Sequence, residues 1–273
     1  MAIVTIFGGT FGDDEGLAKG VAEALGYPYV SREIFVEASQ RCEVPEAKLS
    51  EIVEKEPHWW ERWQENLRPY RIALQAAMSE VALVGDIVYQ GHVGHGLLPG
   101  IRHVLRVLLT APWEFRLEQV RARQGLDARA ARRYIDHVEK AHTRRLVALF
   151  GTDWRDPGQY ALILNMAQMS SAAAVKMIVG AALLEDYQPT AASQQALADL
   201  ALTTAVQAAL LRSPGLRDLS INVQAQQGEV SLSGMIPAAI SEAEIRRLVE
   251  GVPGVGKIAT DFVSIPARVL RYG

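Results

Sequence analysis

The residues best placed to do chemistry lie at the start of the chain. Ile3-Val-Thr-Ile-Phe7 is an apolar, β-rich run that enters Gly8, Gly9, Thr10, Phe11 and Gly12. Asp13, Asp14 and Glu15 then open a segment with Leu17, Val21, Ala24 and Leu25 at helical spacing. Strand, glycine loop, helix is a layout that holds phosphate, because backbone N–H groups and the helix dipole meet the anion at the helix N-terminus. A phosphate cradle also uses a Lys and a Ser or Thr, and here three carboxylates stand instead. They match the positive end of the helix dipole themselves and repel a triphosphate unless a divalent cation intervenes. The loop is shaped for a nucleotide and charged against it.

Further along come groups that could meet an anionic substrate: Arg32, then Gly91-His-Val-Gly-His-Gly96, then Arg116 and Arg123. Glu139-Lys-Ala-His142 follows, with Arg144 and Arg145 just beyond. His92 can bond a phosphate, with a charge that depends on pH. His92 and His95, with His137 and His142, would approach a common metal only if their segments folded together, and no carboxylate stands at a fixed spacing from them.

The elements that must position these groups alternate in type. Tyr27–Val30 reads as a second strand, with Ser31 as cap of a helix over residues 32–41. Residues 45–54 and 71–84 read as helices, and Trp59, Trp60, Trp63 and Leu67 sit at helical spacings between them. That aromatic stripe fits a packed face or a contact with a second subunit better than a base-stacking surface. Strands at 86–91, 102–110 and 161–165 alternate with helices from Trp113, over 128–150 and from Ser170 to about Leu184. Alternation of this kind implies parallel βαβ units with right-handed crossovers. Ligands in such folds sit at the carboxyl ends of strands, where the loops after Phe7, Gln90 and Thr110 would open together.

Residues 186–193 read as a linker, and the pattern changes beyond them. An alanine-rich helix over 194–212 precedes two period-two runs, Leu219–Ala225 and Glu229–Gly234, joined by Gln227-Gly228. A helix over 241–252 and a strand over 257–265 complete a helix–hairpin–helix–strand module. The expected organisation is a parallel α/β domain over 1–185 and a small α+β domain over 194–273.

The chain's 273 residues carry a net charge of −3, which gives no general affinity for nucleic acid. One cysteine, Cys42, excludes an internal disulfide. Met1-Ala2 leads into a strand without a basic leader, and the longest apolar stretch, 172–184, contains Lys176. The expectation is a cytoplasmic protein that does not bind membranes.

Taken together, residues 1 to about 185 resemble the cytidylate-kinase-like branch of the P-loop nucleoside monophosphate kinases. The carriers are the opening strand–loop–helix with Leu25-Gly-Tyr-Pro-Tyr29, Gln90-Gly-His92, and Leu109-Thr-Ala-Pro112 with Arg116 and Arg123. Phe150-Gly-Thr-Asp-Trp154 with Asp156-Pro157, and Tyr160–Asn165, complete the set. Residues 194 to 267 resemble a BON domain, through Gly228-Glu-Val-Ser-Leu-Ser-Gly234 and Val252-Pro-Gly-Val-Gly-Lys257.

The first resemblance implies a phosphate loop for ATP with Mg²⁺, an acceptor site and an arginine-bearing lid. Counted back from Leu25-Gly26, the family's glycine-serine-glycine-glycine core falls on Phe11-Gly12-Asp13-Asp14 and its basic residue on Glu15. A shifted frame would use Gly8 to Gly12 and still supply no Lys. The family's glycine-arginine becomes Gly91-His92, beside Arg32 on the acceptor side. Arg116 and Arg123 keep their places, and the lid's aspartate–lysine–x–arginine becomes Glu139-Lys-Ala-His142. Removing one arginine contact in phosphoryl transfer lowers the rate by orders of magnitude. The expected function is therefore a diverged protein with a degenerate phosphate loop that senses a nucleotide or small ligand, or acts as a scaffold. Two alternatives stay open. One is an active ATP-dependent kinase for CMP or dCMP, with Asp13 and Asp14 bridging Mg²⁺. The other is a homo-oligomeric assembly protein that uses the tryptophan helix and the edge of the C-terminal sheet.

Overall fold

The computed structural model describes residues 2–9, 14–54 and 66–266. Trp59, Trp60 and Trp63 lie outside these residues, as do Thr10, Phe11, Gly12 and Asp13.

The chain begins with β1 (Ile3–Gly8), α1 (Asp14–Leu25), β2 (Tyr29–Val30), α2 (Glu33–Cys42), α3 (Glu46–Glu54) and α4 (Arg68–Val84). It continues through β3 (Val88–Gln90), α5 (Gly94–Leu97), β4 (Val104–Thr110), α6 (Trp113–Gln124), α7 (Ala128–Phe150), β5 (Leu162–Asn165) and α8 (Ser171–Ala182). These strands form one parallel sheet in the order β2-β3-β1-β4-β5. The glycine-loop strand β1 is thus central: its six residues are all buried, and Gly8 pairs with Leu109 at the carboxyl edge.

Both faces of β1 are covered, as parallel sheets require. Val4 and Ile6 face a core with Leu17 and Val21 of α1 and Ile178 of α8. Ile3 and Phe7 face a second core built with α2, α3, α4 and α7. The long α7 is stopped cleanly at each end. Asp127 caps its start, accepting from the Ala130 N–H at 2.7 Å, and Gly151 ends it in the left-handed region at φ 69°. Helices α6 and α7 form a hairpin around Val120, Ala131 and Ile135.

Two local expectations are corrected. Ser31 does not cap α2: the helix starts at Glu33, whose carboxylate instead accepts from the Ser31 N–H at 2.9 Å. The segment expected as a linker contains a 3-10 turn at Glu185–Tyr187, and α9 (Ala191–Arg212) already begins within it. Thr190 and Ser193 close a reciprocal capping box there.

The C-terminal module is α9, β6 (Asn222–Gln226), β7 (Glu229–Pro237), α10 (Glu242–Glu250) and β8 (Lys257–Ile265). Its sheet runs β6-β7-β8, with an antiparallel hairpin and a parallel β7–β8 pair. Helix α9 packs on both modules. Leu197 and Ala208 lie in the core shared with α2 and α4, while Val206 and Leu210 lie in the core of the three-stranded sheet. Arg68 of α4 adds bonds to the Leu219 and Ile221 carbonyls, and Arg212 of α9 bonds the Arg41 carbonyl. No helix among the described residues is long and apolar enough to cross a membrane.

Candidate functional site at the carboxyl edge of the sheet

At the end of β1 the space over Gly8 is occupied from within the chain. Asp14 starts α1, and its carboxylate lies directly over the Cα of Gly8, where a Cβ on Gly8 would collide with it. Glu15, one residue on, pairs with Lys19 at 2.6 Å on an exposed surface. A phosphate seated on the first turn of α1 would share that space with a carboxylate. Of the residues expected to hold a nucleotide, Gly8, Gly9 and Asp14 are described and Thr10 to Asp13 are not.

The neighbouring strand ends meet around Phe7, which is 2% exposed. Its ring lies 5.8 Å from that of His92, 6.0 Å from His95, 6.2 Å from His142 and 5.3 Å from Trp154. His92 and His142 pack on each other with ring centroids 4.2 Å apart. The Trp154 indole donates to Thr143 Oγ1 at 3.0 Å and ties the turn after α7 to that helix. The pH dependence of the His92 charge is moved to acid. Burial, and secondly the Arg145 guanidinium, lower its pKa to about 4, so the ring is neutral at pH 7. His95 falls to about 4 through burial and then Arg106, and burial holds His142 well below its ordinary value. Three neutral imidazoles and two aromatic rings thus pack together at this edge of the sheet.

Of the four histidines expected to approach one another, His92, His95 and His142 are brought together around Phe7. Among the described residues, however, no group of three His, Cys, Asp or Glu has the geometry to hold a metal. The arginines are dispersed. Arg116 is paired with Glu139 across the α6–α7 hairpin, and its Nε is buried. Arg145 is buried and donates to the Val53 carbonyl. Arg123 and Arg144 lie exposed on their helices, and Arg32 is exposed at the start of α2.

The glycines of the 91–96 loop have a packing explanation. A Cβ on Gly94 would stand 2.9 Å from the Tyr89 ring, and one on Gly96 would stand 2.5 Å from the Phe150 ring. These glycines admit aromatic rings against the backbone. Gly96→Ala is accordingly expected to lower stability by about 1–3 kcal/mol through overpacking, as read by urea unfolding.

Reasoning from sequence missed Arg71, Gln75, Arg106 and Thr152, which line a cavity of about 390 Å³ with His95. The available signal was Arg106 itself, a charged residue inside the apolar strand Val104–Thr110.

Comparison with known proteins agrees with this fold. Residues 3–168 match the model of the cytidylate kinase-like family, and residues 198–266 match that of the BON domain. A protein named cytidylate kinase from Methanopyrus kandleri is 27% identical over 177 residues, covering 62% of this chain and 86% of its own. Another of that name from Ignicoccus hospitalis is 28% identical over 179 residues, covering 65% and 97%. Among solved structures, an uncharacterized protein from Eubacterium ventriosum superposes with a TM-score of 0.51 at 17% identity. It covers 67% of this chain and 98% of its own, a likeness of fold alone.

Proposed function

The chain belongs to the cytidylate kinase-like family, and from that premise we propose that it is a non-catalytic member, a cytoplasmic nucleotide- or small-ligand-sensing protein with a BON module attached. One observation carries this reading: His92 and His142, which the resemblance sets against the family's acceptor and lid arginines, form a neutral stack on Phe7. Asp14 over Gly8 adds a second obstacle on the donor side.

Phosphoryl transfer depends on positioning and on neutralising charge spread over the transferred group. Neutral imidazoles at both positions, with a carboxylate at the loop, leave that charge unmet. The fold and its pocket edge remain, and a ligand that binds the native state would still stabilise it. On the BON side, an open groove of about 1210 Å³ runs between α9 and the β6–β7 hairpin, lined in part by Asp199, Thr203, Gln224 and Lys257. It offers a polar surface suited to a small ligand.

The test is a coupled assay of ADP release from the purified full chain with ATP, Mg²⁺ and CMP or dCMP. Turnover is expected to stay at the no-protein background, while a thermal-shift screen of nucleotides finds at least one that raises the melting temperature. CMP-dependent ADP formation above background would overturn the loss of catalysis. The absence of any shift across the nucleotides would overturn the sensing role.

A further inference from the structure

We infer that the cavity between α4, α5, β4 and the 152–159 turn is a binding site for the phosphate group of a small molecule. It shares His95 with the cluster around Phe7 and extends from there to Arg106 in the amino half of β4, four residues before Thr110. Its volume of about 390 Å³ falls in the range of small-molecule sites.

The wall chemistry favours an oxyanion. Arg71 from α4 and Arg106 from β4 approach from different elements, and none of the lining residues is an Asp or Glu. Burial alone lowers the Arg106 pKa, and Arg106 gives one bond to the Leu98 carbonyl at 2.6 Å. A guanidinium has five donors in a planar fork, so it retains donors for a ligand. Gln75 is anchored to the Gly96 carbonyl at 3.0 Å, which fixes α4 against α5. Asp156, in the adjoining turn, is engaged by the Gly158 N–H at 2.9 Å and the Gln159 amide at 3.2 Å.

Two of the lining residues carry polar atoms without a protein partner. Both ring nitrogens of His95, a residue 5% exposed, and the buried hydroxyl of Thr152 are unbonded. Buried polar groups nearly always find partners. Two guanidinium groups from different elements, with no carboxylate in the lining, match a tetrahedral dianion with several acceptor oxygens better than a neutral ligand.

Isothermal titration of the full chain with inorganic phosphate, at ionic strength held constant with NaCl, tests this. A second arm uses CMP, so that free phosphate and a phosphomonoester are separated. One-to-one binding is expected with at least one of the two. It should weaken by about tenfold or more in Arg71→Ala, the loss of one charge-assisted contact, and stay unchanged in Arg247→Ala on α10. Arg71 is only partly buried, so its removal probes the cavity without relying on how well Arg106→Met folds. The His95 ring proton resonances should also shift as phosphate is added. Failure of both probes to bind, or binding of equal strength in Arg71→Ala, overturns the proposal. Either result is distinguishable from the kinase assay, since that assay reads ADP formation and this one reads binding.

Discussion

Phe7→Ala is expected to lower the stability of the native chain by about 3–5 kcal/mol, the cost of truncating a buried Phe and leaving a cavity. That is roughly 10 °C in melting temperature for a protein of this size. The position is severe because one ring supports four others: His92, His95, His142 and Trp154 all pack on it. They come from the β3–α5 loop, α5, α7 and the turn after α7, so the cavity would loosen several elements together. Phe7→Leu, which keeps most of the volume, should cost less than half as much. If the alanine variant melted within about 2 °C of the parent, Phe7 would not be the hub of this edge.

Acid is the second large lever, and its sign follows from burial. His92 and His95 have folded pKa values near 4, while an unfolded histidine titrates near 6.5. Above pH 6.5 both states are neutral and these groups contribute no pH dependence. Below it the unfolded chain takes up protons that the folded chain refuses. Stability therefore falls as pH drops from 6.5 and levels off, for these groups, below about 4. For the buried His95 alone, a displacement of this size corresponds to about 3 kcal/mol. His142, also held well below its ordinary value by burial, adds in the same direction. Melting curves from pH 7.5 to 4.5 should show a steep fall, and His142→Phe should make it shallower. A melting temperature flat across that window would mean these rings are solvated.

Much of the framework is legible in residues that act locally. The sequence places a helix over 128–150 and α7 occupies Ala128–Phe150, because Asp127 and Gly151 are unambiguous stop signals. The opening strand, the parallel sheet and the C-terminal hairpin follow from period and turn residues in the same way. The site is legible only as a set of substitutions. That His92 and His142 stack depends on a fold that joins positions 50 residues apart, and no local pattern encodes it. The neutrality of both rings depends on burial, which is a tertiary property. The dual role of α9 does have a local signal. Ala208, Ala209, Leu210 and Leu211 are consecutive buried residues, and a helix apolar all round is covered on more than one side.

Helix α9 also bears on how the chain can be divided. Sequence families end at 168 and resume at 198, which invites a cut near residue 190 to obtain two separate cassettes. Such a cut would uncover α2 and α4, against which Leu197 and Ala208 pack. Removing α9 from the other side would strip Val206 and Leu210 from the three-stranded sheet. Either fragment would present bare apolar surface and tend to aggregate. The two families are therefore fused here through a common wall, and a recombination event that shuffled one without the other would have to rebuild it.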